Sequence, residues 1–245
     1  MKLQKVSKER NQTLSFLSIS KNIPAITLIR EVNVSHIVKS AKLGSMTAIT
    51  IKAISDALAK FPDLNVMVKF GSSNTLICLN DISARLTLEK TLNGVSGVYS
   101  RVIKNTDIKT VMDIEKALKE IKHENVKESE HYRKIRLIQQ LPGFLAAILM
   151  KLALRSSKTQ AETWGSFTVT SLGKNGPDLC IPISGSTFTF TLGAVSEKPL
   201  VAGEEIVAAW VANLVMVFDH RVLDGKLASQ LLGQVKQNIE HFPMD

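Results

Sequence analysis

Apolar positions along the chain alternate between two spacings, one of strands and one of helices. Ala25 to Val34 (AITLIREVNV) alternates apolar and polar residues, which predicts a half-buried strand. Thr47 to Phe61 (TAITIKAISDALAKF) follows helical spacing and stops at Pro62, whose ring cannot continue a helix. Val66 to Phe70 and Thr75 to Leu79 bracket GSSN and read as a hairpin. Val98 to Ile103 reads as a strand, and Ile108 to Lys122 as an amphipathic helix with Asp107 or Thr106 as its cap. In the last third, Ser166 to Thr170, Thr187 to Ala194 and Ile206 to Phe218 read as strands separated by glycine-containing turns. The last of these is apolar on both faces and is expected deep in a sheet. A helix should follow Asp224, because Leu227, Leu231, Val235 and Ile239 fall four apart on one face. The expected fold is α/β or α+β with a mixed sheet, undivided by any repeat or flexible linker.

Two stretches depart from this alternation. Leu141 to Leu154 (LPGFLAAILMKLAL) is almost continuously apolar but shorter than the roughly 20 residues that span a bilayer. It reads as a buried or amphipathic helix, with surface contact to a membrane or an apolar partner as the alternative. His123 to Arg133 (HENVKESEHYR) is dense in charge and is expected to be an exposed, mobile connection.

Composition narrows the function classes. Hydrophobic residues make up 44% of the 245 and charged residues 22%, ordinary for a soluble globular protein. The start, MKLQKVSKERNQTLSF, has no continuous apolar core of the signal-peptide kind, so cytoplasmic is the default location. The net charge of +9 reads as a solvated basic surface or as attraction for an anionic partner such as coenzyme A phosphates or an acidic carrier protein. Only 5% of residues are aromatic, and no basic run is interleaved with rings, which argues against nucleic acid. Cys78 and Cys180 form no CxxC pair, so neither a disulfide framework nor a zinc site is expected. Neither is placed like a catalytic thiol, and Cys180, beside IPI, reads as a packed strand residue.

One short run carries chemistry. In Phe218 to Gly225 (FDHRVLDG) a buried strand ends, a histidine stands at its tip, and an aspartate follows four residues later. Gly225 would permit a tight turn into the helix. Histidine can act as a general base near neutral pH, and Asp224 could hold the loop or the imidazole in place. The bland alternative stays open on spacing alone: Asp224 as a helix cap and His220 as a polar residue at a strand end.

DHRVLDG resembles the active-site signature of the acyltransferase component of 2-oxo acid dehydrogenase complexes, in its catalytic domain. The likeness extends to Ile23–Val34, to Ile51–Asn65 with its Phe-Pro-x-x-Asn turn, to Asp81–Lys109, to Gly165–Gly173 (GSFTVTSLG) and to Leu192–Val201, thus from about Lys21 onward. It implies the two-layer sandwich of chloramphenicol acetyltransferase around a mixed sheet. Residues 1–20 would be an extension packed on a single catalytic domain of residues 21–245. The resemblance further implies that His220 is the base, that Thr170 donates a hydrogen bond to the oxyanion with Ser171 as the neighbouring candidate, and that Asp224 is the second signature residue. Asp219, Arg221 and Gly225 would be structural, the first two through ion pairs. His36, His123, His131 and His241 have no partner motif and read as surface or satisfied histidines. A base and an oxyanion donor suffice for direct transfer, so no acyl-enzyme, metal or tightly bound cofactor is implied. The substrates would be thioesters of coenzyme A, a lipoyl group or phosphopantetheine, and the active sites would lie between the subunits of a homotrimer.

The chain begins already inside the catalytic domain, which suggests a stand-alone version without a lipoyl module, supplied with acyl groups from outside. The brief end, IEHFPMD, suggests an isolated trimer rather than a cubic core. Ile135–Arg155 differs in character from complex members and would line an altered substrate entrance. Two other readings compete: acetyl transfer to an antibiotic-like hydroxyl or amine, whose signature typically has His where Asp219 stands, and a non-catalytic trimeric scaffold that binds a carrier.

Overall fold

In the computed structural model, which describes residues 3, 6–40, 44–72, 74–171 and 176–243, the alternating segments form one mixed sheet. Its strands run in the order β1 (Ala25–Asn33), β9 (Glu205–Asp219), β7 (Phe188–Leu192), β6 (Phe167–Thr170), β4 (Ala84–Leu92) and β5 (Val95–Ile103). The β4–β6 and β6–β7 pairs are parallel and the others antiparallel, with β8 (Ser196–Ala202) pairing to the start of β9. The GSSN hairpin is a separate two-stranded ribbon, β2 (Val66–Val68) with β3 (Leu76–Cys78).

The two faces of the sheet differ in chemistry because side chains alternate along each strand. One face presents Leu86, Val169, Phe190, Leu214 and Met216, and packs with the buried sides of α3 (Met46–Ala59), α4 (Val111–His123) and α8 (Gly225–Glu240) into the main core. Phe167, Phe188 and Phe218 occupy one register row across β6, β7 and β9. Burying each of these rings stabilises the fold by about 1.5–3 kcal/mol, and the row anchors the end of β9 from which the histidine loop departs. The opposite face carries a block of hydroxyls, Thr87, Thr168, Thr170, Thr189 and Thr191. Thr168 bonds Ser186 and Thr189 bonds Ser184, both at 2.7 Å.

Several expectations need correction. The cap of α4 is Thr110, which closes a reciprocal capping box with Asp113; Thr106 is instead buried and bonded to Ser55 and the Ile82 carbonyl. The charged stretch from His123 to Arg133 is pinned rather than loose. Glu124 pairs with Arg101 at 2.6 Å, and Val126 and Tyr132 are buried, with the Tyr132 ring edge-on to Tyr99. Only the second half of β9 lies deep in the sheet, between β1 and β7; its start forms an exposed arm with β8, so Ile206 stands in solvent. Cys180 lies outside any strand and is half-buried. His36 is not satisfied: its Nε2 is buried with no hydrogen-bond partner among the described residues, and burial lowers its pKa. The apolar run does form a helix, α6 (Gly143–Leu154), but of its residues only Ala146 and Leu154 are buried.

α6 follows α5 (Arg133–Gln140) and packs against α1 (Asn11–Ser20), and α7 (Ser157–Trp164) leads into β6. Asn11 donates to the Leu141 carbonyl at 2.8 Å, and Gln139 donates to the Glu9 carbonyl, which fastens the α5–α6 corner to α1. Among the described residues, no helix is long and apolar enough to cross a membrane.

Gly165 joins α7 to β6 at φ 60°, ψ −172°, where a Cβ would stand 2.7 Å from the Ser83 carbonyl oxygen. That oxygen accepts from Ser166 N and thereby sets the β4–β6 register. Gly165→Ala should therefore destabilise the protein by about 3 kcal/mol through backbone strain. Its thermal midpoint should fall by roughly 6–12 °C, as read by circular dichroism; an unchanged midpoint would contradict the strain.

Candidate active site

The loop after β9 is held by backbone as well as side chains. His220 N donates to the Pro24 carbonyl at 2.9 Å, fixing the tip of β9 to the chain that enters β1. Asp219 is almost fully buried and accepts from three donors of Arg221: its backbone N at 3.0 Å, Nε at 2.9 and 3.2 Å to the two carboxylate oxygens, and Nη2 at 2.5 Å. This hydrogen bonding raises the pKa of the guanidinium further above its ordinary value.

The His220 ring sits edge-on to Phe218, with centroids 5.8 Å apart, and its Nδ1 lies 3.0 Å from the Leu223 carbonyl oxygen. A carbonyl oxygen can only accept, so Nδ1 carries the proton of the neutral imidazole. The lone pair is left on Nε2, on a side chain that is 38% exposed. A histidine held this way can take a proton from a ligand.

Asp224 does not hold the ring through a hydrogen bond. Its Oδ1 is 3.8 Å from Nδ1 and its side chain is almost wholly exposed. It occupies the N-cap position of α8 without a side-chain capping bond, so the carbonyl of Leu223 does the aiming within one chain. Gly225 needs correction too. It opens α8 without a left-handed backbone, and a side chain there would meet open space, so the turn does not require glycine.

Thr170 ends β6 on the hydroxyl face, and Thr87 donates to its Oγ1 at 3.0 Å. With that lone pair taken, the Thr170 hydroxyl proton remains free to point elsewhere. Ser171 is held less tightly: its Oγ is 3.4 Å from Thr47 Oγ1. Thr191, opposite Thr170 on β7, has a buried hydroxyl with no hydrogen-bond partner among the described residues, as does Arg85 Nε on the same face. Thr87, Thr47 and the Leu223 carbonyl escape sequence reasoning. The first two depend on pairings across distant segments, and the third is backbone.

Within one chain, His220 and Thr170 do not meet. Thr170 pairs with Thr191, which pairs with Val215, and His220 lies five residues further along β9. Two strand spacings and five strand residues separate them by roughly 20 Å. Among the described residues, no group of His, Cys, Asp or Glu could hold a metal ion.

Residues 2–133 and 146–244 match the family of 2-oxoacid dehydrogenases acyltransferase (catalytic domain). The dihydrolipoyllysine-residue succinyltransferase component of the 2-oxoglutarate dehydrogenase complex of Buchnera aphidicola subsp. Schizaphis graminum is 24% identical over 241 residues, 92% of this chain and 52% of that protein. The dihydrolipoyllysine-residue acetyltransferase component of the pyruvate dehydrogenase complex of Bacillus subtilis is 29% identical over 229 residues, 87% of this chain and 44% of that protein. The chain thus spans about half the length of the curated relatives it matches. Among solved structures, a probable dihydrolipoamide acetyltransferase from Listeria monocytogenes has a TM-score of 0.72 at 23% identity, covering 98% of this chain and 94% of its own. A chloramphenicol acetyltransferase has a TM-score of 0.52 at 13% identity, covering 98% of both chains. The fold is shared with both.

The Asp219–Arg221 pair makes a stability prediction. Arg221→Met leaves a buried carboxylate with one backbone N–H, and should cost about 1–3 kcal/mol in urea unfolding. Adding Asp219→Asn should restore part of that loss, because no unpaired charge then remains. A double variant no more stable than the single one would contradict the pairing argument.

Proposed function

Because the chain belongs to the family of 2-oxoacid dehydrogenase acyltransferase catalytic domains, we propose that it transfers an acyl group from a thioester to a thiol or hydroxyl acceptor, with His220 as general base. The observation that carries this reading is the Nδ1–H bond from His220 to the Leu223 carbonyl, which leaves Nε2 as the accepting atom at an exposed strand tip.

The reaction follows from the groups in hand. Nε2 takes the proton of the acceptor thiol or hydroxyl, and the resulting anion attacks the thioester carbonyl. Negative charge moves to the carbonyl oxygen of the tetrahedral intermediate, where the Thr170 hydroxyl donates, its lone pair occupied by Thr87. A pre-aimed donor of this kind contributes roughly 3–4 kcal/mol to the barrier reduction. Collapse then breaks the carbon–sulfur bond, and the departing thiolate takes the proton from the imidazolium. Ser171, next along the chain, is the second candidate for the oxyanion. The donor in this proposal is a thioester of coenzyme A, a dihydrolipoyl group or a phosphopantetheine carrier, with no tightly bound cofactor.

Roughly 20 Å separates base and oxyanion donor within one chain. A working site therefore takes His220 from one subunit and Thr170 from another, which supports a homotrimer with its active sites between subunits.

Formation of S-acetyldihydrolipoamide from acetyl-CoA and dihydrolipoamide, followed by chromatography, tests the assignment. His220→Ala should lower kcat/KM by about 10²–10⁴-fold with the fold unchanged. A variant within about twofold of wild type would remove His220 from the chemistry.

A further inference from the structure

We propose that the surface built by α1, α5 and α6 docks the protein peripherally on an anionic lipid bilayer. Three independent observations meet there. The first is apolar exposure. Phe144, Leu145, Ile148, Leu149 and Leu152 of α6 are each between 39% and 67% exposed. Phe144, Ile148 and Leu152 form one ridge of the helix and Leu145 and Leu149 the next, so together they make a single outward stripe. The opposite side of α6 is already used: Met150 and Leu154 pack with Ile19, Met67 and Trp164. Leu14 and Leu17 of the adjoining α1, and Leu137 of α5, are exposed as well.

The second observation is the distribution of charge. Residues 133–158 contain six basic and no acidic residues, and residues 1–24 contain five basic and one acidic. The other 195 residues hold 20 basic and 21 acidic, so these two segments account for the whole positive excess. They are in contact through α1 and α6. Lys134, Lys151, Arg155 and Lys158 are exposed, as are Lys8, Arg10 and Lys21. Lys151 and Arg155 flank the edge of the apolar stripe, where long basic side chains can reach lipid phosphates while their stems lie on hydrocarbon.

The third observation is that residues 134–145, which form most of α5 and the start of α6, fall in the gap of the family match. Lys134, Leu137, Phe144 and Leu145 thus stand outside the matched parts, whereas α1 and α6 from Ala146 onward fall within them.

Geometry and charge both select the bilayer surface. A 12-residue helix is about 18 Å long, against a hydrocarbon core of about 30 Å, so α6 would lie along the interface and not cross it. An anionic bilayer matches the basic rim in charge, whereas the remainder of a second copy is close to neutral.

Flotation of the full chain with phosphatidylcholine vesicles, with and without phosphatidylserine, tests the proposal. The protein should float with the anionic vesicles only, and less so at high salt. Ile148→Ser/Leu149→Ser and Lys151→Glu/Arg155→Glu should each reduce binding by about tenfold or more, with melting temperature and oligomeric state unchanged. The charge-reversed variant keeps the test decisive should the serine variant fold poorly. No flotation, equal binding to neutral vesicles, or undiminished binding by folded variants would overturn the proposal. So would a change of oligomeric state in the serine variant, which would assign the stripe to a second copy.

Discussion

The register that locks β7 between β6 and β9 decides what this chain can do alone. β6 and β7 run parallel and β9 runs against them, so the C-terminal ends of β6 and β9 point out of opposite sides of the sheet. Thr170 sits at one end and His220 beyond the other. The phenylalanine row across the three strands holds that arrangement rigid, because sliding any strand by one residue would turn its ring out of the core. No loop rearrangement of ordinary size closes a gap of roughly 20 Å. The pairing that builds the fold thus also makes the proposed site a property of an assembly.

Around His220 the local design uses little side-chain machinery. Backbone carbonyls of Pro24 and Leu223 fix the position and the tautomer of the residue, and Asp219 with Arg221 stiffens the turn from beneath. Asp224 remains solvent-exposed in the single chain, 3.8 Å from the His220 ring. On the other side of the sheet, the hydroxyl face leaves Thr191 and Arg85 without partners among the described residues. A buried polar group without a partner is costly, and a neighbouring subunit or a bound substrate is a natural source of the missing bond.

Much of the architecture is legible in the residues themselves. β1, α3 and α8 follow from period-two and period-four spacing, since each packs against the main core; the β2–β3 hairpin follows from its turn residues and buries Met67 in a smaller cluster with Leu154 and Trp164. The failures have physical causes. Thr106 looks like a cap but is drawn into the core by Ser55, while Thr110 and Asp113 form the box three residues apart. The charges of the 123–133 segment mask Val126 and Tyr132, which anchor it. β8 hides behind Glu197, Lys198 and Pro199, because it is an exposed arm with little to bury. The run from Leu141 reads as a buried or amphipathic helix, because composition cannot tell which apolar surface finds a partner inside the chain. At the site, the histidine loop stands out in the sequence, whereas the contact from Thr87 to Thr170 bridges residues 83 apart and exists only once the sheet is assembled.

The shared site is tested most directly by mixing inactive chains. Trimers assembled from His220→Ala and Thr170→Ala chains, separated by distinct tags, each contain one interface with an intact histidine facing an intact threonine. Such mixed trimers should recover about a third of wild-type activity, far above either parent. Mixed trimers no more active than their parents would place base and oxyanion donor within one chain and contradict the account.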